Sequence, residues 1–117
     1  MSSPIIMTLN LTEDSILLNE GVIAALDRPR QVQILINSDE KALLLRTCTI
    51  DDMQAVVMPE ETAVQCEISG RSLLKKIKKL TGWKDDTPRM CYGDYLPTHQ
   101  AILFKLDDAE RIDTEQI

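Results

Sequence analysis

The chain has 117 residues, 44% hydrophobic and 27% charged, with 13 basic against 19 acidic residues and a net charge of −6. That length suits one small domain able to bury about two thirds of its unfolded surface without a disulfide or a metal. The composition excludes a collagen-like chain and a disulfide-stapled mini-protein, and with only Trp83, Tyr92, Tyr95 and Phe104 as aromatics the core must be aliphatic.

No apolar run approaches the roughly 18 residues of a membrane span, so no membrane partner is expected. Met1-Ser2-Ser3-Pro4 has no basic region leading into an apolar one, so no signal peptide is expected either. Cys48, Cys66 and Cys91 are odd in number and far apart. They read as reduced thiols acting as small hydrophobes, and the protein as cytoplasmic; an inter-chain disulfide or a redox role is the alternative.

In chain order, Met7, Leu9 and Leu11 alternate with Thr8, Asn10 and Thr12, which predicts a half-buried strand over residues 5–12. Glu13-Asp14-Ser15 turns the chain into a short strand at Ile16-Leu17-Leu18. Asn19 is suited to cap a short helix carrying Val22, Ile23 and Leu26 on one face, and Pro29 closes it. Val32, Ile34 and Ile36 then alternate with polar residues up to the turn Asn37-Ser38-Asp39-Glu40, and residues 42–49 form the return strand. Residues 50–62 read as a connector or an edge strand around Ala55-Val56-Val57-Met58. Beyond Ile68, Ser69 is expected to cap a helix striped by Leu73, Leu74, Ile77 and Leu80 and closed by Gly82. Trp83 is expected over the end of that stripe. Residues 84–88 form a loop, residues 89–95 and 100–106 a second hairpin turning at 96–99, and the acidic tail frays after Ile112.

The order strand, cap, helix, hairpin occurs twice, in halves of about 5–50 and 64–112. An offset of 51 residues sets Leu17 on Ile68, Val22 on Leu73, Ile23 on Leu74 and Leu26 on Ile77. The expected fold is therefore α+β: two strand-helix-β-hairpin halves sharing one aliphatic core in a single domain spanning 1–117. Chance recurrence of short strand-helix-hairpin units is the competing explanation.

The stretch from Ser15 to Leu26, followed by residues 31–49, resembles the swapped-hairpin DNA-binding units of AbrB, MazE and MraZ-type regulators, and residues 68–106 are similar in order. MraZ-like proteins carry two such units in one chain. The resemblance implies interdigitated halves, transcription regulation, a DNA partner and a dimer. The family's first unit has a basic-glycine turn before the strand and a proline entering the helix. Here Glu13-Asp14-Ser15 and Asn19-Glu20 stand at those places, so the first half lacks the basic character by which the family meets DNA.

Charge is concentrated elsewhere. Residues 1–70 carry four basic and eleven acidic residues, residues 71–84 six basic and none acidic, and residues 85–117 three basic and eight acidic. Arg71, Lys75, Lys76, Lys78, Lys79 and Lys84 are thus the candidate nucleic-acid or partner-binding residues. The plainer reading is a solvated helix face, or one that pairs with an acidic surface such as residues 107–115 of another copy. Trp83, Tyr92 and Tyr95 can stack on bases, although core or interface filling is the expected use of so few aromatics.

Catalytic equipment is missing from the pattern. His99, the sole histidine, sits in a predicted turn with no recognisable nucleophile or orienting partner. The cysteines lack Cys-x-x-Cys spacing, the acidic pairs Asp51-Asp52, Asp85-Asp86 and Asp107-Asp108 fit no calcium loop, and the four glycines form no phosphate loop. No enzyme activity, metal or cofactor is expected. The leading expectation is a small regulatory module binding nucleic acid through the basic helix; the alternative is a protein-interaction or self-assembly module.

Overall fold

In the computed structural model, which describes residues 4–48, 55–57 and 65–112, the chain opens with a hairpin. Strands β1 (Ile6–Asn10) and β2 (Ser15–Asn19) pair antiparallel, and the inward set Met7, Leu9, Ile16 and Leu18 is fully buried. Asn19 then acts three ways. Its Oδ1 accepts from the amides of Val22 and Ile6, both at 3.1 Å, and its Nδ2 donates to the Pro4 carbonyl at 2.9 Å. One side chain thereby caps helix α1 (Glu20–Ala25) and ties the entering chain to it. The helix ends before Pro29, through Asp27 and Arg28 in the left-handed region, with the Arg28 amide donating to the Ile23 carbonyl at 2.9 Å.

Strands β3 (Gln31–Asn37) and β4 (Ala42–Thr47) form the predicted hairpin. Its turn is held by Asn37 Oδ1, which accepts from the amides of Asp39 (3.0 Å) and Glu40 (3.2 Å). Strand β5 (Ala55–Val57) pairs with the other side of β3, so this part of the 50–62 stretch is an edge strand; the rest of that stretch lies outside the described residues. Strand β6 (Gln65–Ser69) follows with Cys66 and Ile68 inward, then helix α2 (Arg71–Thr81). Strands β7 (Arg89–Leu96) and β8 (Ala101–Lys105) make a third hairpin, and β9 (Glu110–Arg111) adds to the start of β7. Fraying beyond Ile112 concerns residues outside those described.

Every pairing is antiparallel, in the order β5-β3-β4-β8-β7-β1-β2-β6, with β9 beside β7. The fold is mixed α+β and mostly β, a small compact domain whose sheet curls around an aliphatic core. Phe104 is the one aromatic wholly inside it. The curl depends on β7, which passes from one long neighbour to another: Arg89 to Tyr92 pair with β1, and Gly93 to Leu96 pair with β8. The change falls at Gly93. A Cβ there would stand 2.4 Å from Ile102 Cγ2, 2.7 Å from the Phe104 ring and 2.9 Å from Ile5 Cγ2, so the strand can lie this close to the core only without a side chain. No helix among the described residues is long and apolar enough to cross a membrane.

One sequence expectation needs correction. Ser69 does not cap α2: it is the last residue of β6, opposite Ser15, and the N-cap is Gly70 with no side-chain cap bond. Of the core or interface filling expected of the aromatics, Tyr92 and Tyr95 take no core place, being 57% and 41% exposed on β7.

Candidate nucleic-acid interface

Helix α2 is held from both ends and along one side. At its start the Gly70 amide donates to the Asp14 carbonyl at 2.9 Å, which fixes the helix to the β1–β2 turn. Leu74 and Ile77 are buried, and Leu73 and Leu80 pack half-buried beside them, as the stripe predicts. Each of the two buried side chains contributes about 1.5–3 kcal/mol of apolar burial. At the far end Gly82 takes φ +79° and donates its amide to the Lys78 carbonyl at 2.8 Å, closing the helix where expected.

The face turned away from the core carries Arg71, Ser72, Lys75, Lys76 and Lys79, all exposed, and Lys84 stands exposed just beyond. No acidic residue occurs anywhere in α2. Like charges four apart on a helix repel by about 0.2–0.5 kcal/mol per pair, and Arg71–Lys75 and Lys75–Lys79 are such pairs. Arg71 in the first turn also opposes the positive end of the helix dipole. The sixth predicted cation differs from the rest: Lys78 is half-buried, and its Nζ stands 2.5 Å from Asp86 Oδ1. The structure thus brings Arg71, Lys75, Lys76 and Lys79 together on one surface, sets Lys84 nearby in sequence, and partly neutralises Lys78.

A cluster that the sequence did not announce anchors the helix end. Arg89 is only 8% exposed, and its guanidinium lies 4.3 Å from the centroid of the Trp83 ring. Its Nη2 reaches Asp85 Oδ1 at 3.3 Å, while Nε finds no acceptor among the described residues. The Trp83 face and Asp85 therefore receive the charge of this buried cation. Arg111 approaches Asp85 Oδ2 at 3.6 Å, and the Thr87 amide donates to Asp85 Oδ1 at 3.0 Å. The Thr87 amide hydrogen bond, then the Thr87 side chain, Arg111 and Arg89, hold the Asp85 carboxyl below its ordinary range. Its contribution is present at neutral pH and is lost as acid protonates it. The charges at 85 and 89 are visible in sequence, but Pro88 hides their proximity by excluding a regular helix between them.

His99 is exposed in a short 3-10 turn, Pro97–His99. Cys66 and Cys91 are buried in the core, and none of the three cysteines is in a disulfide. Burial pushes both thiols up, Cys91 to about 12 with a smaller push from Asp108. Cys48 lines a shallow pocket of about 270 Å³ with Asp27, Arg30, Tyr95 and Gln100, and His99 is not part of it. Among the described residues no three metal-ligating side chains gather.

Compared with protein-family models, with curated proteins and with solved structures, the chain matches none.

Proposed function

We propose that the protein is a non-enzymatic regulatory module of the cytoplasm that binds nucleic acid through the outer face of α2. The observation that carries this reading is the set of Arg71, Lys75, Lys76 and Lys79, exposed together on a helix without one acidic residue, in a chain of net charge −6. A helix face with only structural work gains from interspersed glutamates; this one keeps its mutual repulsion, which a polyanion relieves.

The proposal includes the two-unit architecture and the kinship with swapped-hairpin regulators. Its support is the exchange of strands. β1, β2, α1, β3 and β4 correspond in order to β5, β6, α2, β7 and β8. β1 pairs with β7 of the other unit, and β5 pairs with β3. β2 pairs with its counterpart β6 about Leu17 opposite Glu67, and β4 with β8 about Leu44 opposite Leu103. Between β2 and β6 the correspondence runs at an offset of 50, since inward Ile16 and Leu18 match inward Cys66 and Ile68; the helices keep 51, with Gly70 opposite the cap Asn19, and β4 and β8 stand at 59, beyond the longer second helix and its loop. On this view the second unit begins at β5, ahead of residue 64.

An electrophoretic shift assay tests the function. The folded protein should retard duplex DNA at low salt, and replacing Lys75, Lys76 and Lys79 by alanine should abolish the shift. Absence of any shift at low salt refutes the reading.

A second reading, self-assembly, draws on the exposed carboxylates of Glu40, Asp107 and Asp108, which outnumber the one cation, Lys105, in a shallow groove. There α2 of one copy meets the acidic surface of another. Light scattering separates the two: a dimer that dissociates with added salt and with the same alanine substitutions supports assembly, and a monomer at all concentrations refutes it.

A further inference from the structure

Resting on the nucleic-acid reading above, we infer that α2 follows one sugar-phosphate strand and does not read bases. Arg71, Lys75 and Lys79 form one row of a helix at intervals of four residues, so their stems leave the axis about 6 Å apart and cover about 12 Å in all. A duplex presents one phosphate per ~3.4 Å of axis on each strand, and successive phosphates lie farther apart along the winding strand itself, so the three cations of the row reach about three phosphates of one strand. Lys76 widens the row on the same exposed face, and Lys84 extends it beyond the Gly82 cap.

The chemistry of the face points the same way. Base edges are read by Asn and Gln on adenine, by Asp and Glu on cytosine, by Arg or Lys on guanine and by Ser or Thr on either. The outer face has no Asn, Gln, Asp or Glu; it has Arg71 at the first helical position, Ser72, and lysines that act mainly as point charges on long flexible stems. The other side of α2 is packed on the core through Leu74 and Ile77. The helix end is fixed by Lys78–Asp86 and by the stack of Arg89 on Trp83, so the helix is not free to roll another set of side chains outward. Exposed Tyr92 and Tyr95 belong to β7, not to this face. What remains is a short rigid rod of point charges on flexible stems, suited to phosphates that recur regularly and to no particular sequence.

The test is a titration by fluorescence anisotropy against unrelated duplexes of equal length and differing G·C content, repeated over a range of salt, with polyglutamate as a second polyanion. Four to five phosphate contacts give a slope of log affinity on log salt near −4, which is a loss of about 100- to 500-fold between 50 and 200 mM salt. Affinities for the duplexes should agree within about threefold, because phosphate contacts carry no sequence information. Each of Lys75→Ala, Lys76→Ala and Lys79→Ala should lower the slope by about one, and Lys78→Ala should lower it less. Preference for one duplex by tenfold or more, a slope unmoved by the alanine variants, or equal affinity for polyglutamate would overturn the inference. The first of these leaves nucleic-acid binding by α2 standing. Failure to bind any duplex at low salt removes both.

Discussion

Gly93 shows how much one residue decides. It sits where β7 leaves β1 and joins β8, and three core side chains occupy the space a methyl group would take. Gly93→Ala should therefore destabilise the fold by about 1–3 kcal/mol, the usual cost of overpacking, seen as a lower urea midpoint; an unchanged midpoint would show that the core yields there. Cys91 decides something else. Its thiol is held neutral by burial, with a pKa pushed up to about 12, against about 8.5 in an unfolded chain. Because the folded value is the higher one, this stabilisation is complete below about pH 8.5 and drains away as the pH rises toward 12. Near pH 10 the loss is about 1–2 kcal/mol, with Cys66 adding to it in the same direction. Urea midpoints at neutral and alkaline pH should converge when Cys91 is replaced by alanine. An equal alkaline loss in the variant would contradict the assignment.

At the scale of elements, α2 separates the residues that hold the fold from those that face outward. Leu74→Ala should cost about 2–5 kcal/mol in thermal or urea unfolding, as for other buried leucines. Lys75→Glu or Lys79→Glu should leave stability unchanged or raise it by a few tenths of a kcal/mol, since the first turns two repulsive pairs four residues apart into attractive ones and the second turns one. A loss above about 1 kcal/mol in the glutamate variants would mean that the lysine face is packed rather than open.

The same elements show what the sequence made legible. The three hairpins, both helices, the Asn19 cap and the Gly82 closure follow from alternation of period two, a helical stripe and residues with one preferred backbone, all of them local signals. The cap at Ser69 failed because a serine before a helix looks alike whether it ends a strand or begins the turn; its pairing with Ser15 decides, and that partner is 54 residues away. Strand β9 had no signal, since two residues, Glu110 and Arg111, show no period. The order in which strands close around the core depends on registers between distant segments, for which a single sequence carries no code. The candidate site was legible as a run of six cations. That Lys78 turns to Asp86 while Arg71, Lys75, Lys76 and Lys79 face solvent came only from the fold.

At the scale of the whole molecule, a net charge of −6 is compatible with the proposed polyanion site because α2 itself carries no acidic residue. The repulsion of the acidic surface makes low salt a demanding condition for nonspecific adhesion and a favourable one for α2, whose four exposed cations act together at short range. The most direct measurement is the affinity of the intact protein for a labelled duplex at low salt, by fluorescence anisotropy, for the wild type and for a Lys75→Glu/Lys79→Glu variant whose fold is verified by circular dichroism. The account predicts saturable binding by the wild type and a loss of at least a hundredfold in the variant. Equal binding by the two, or none by either, would contradict it.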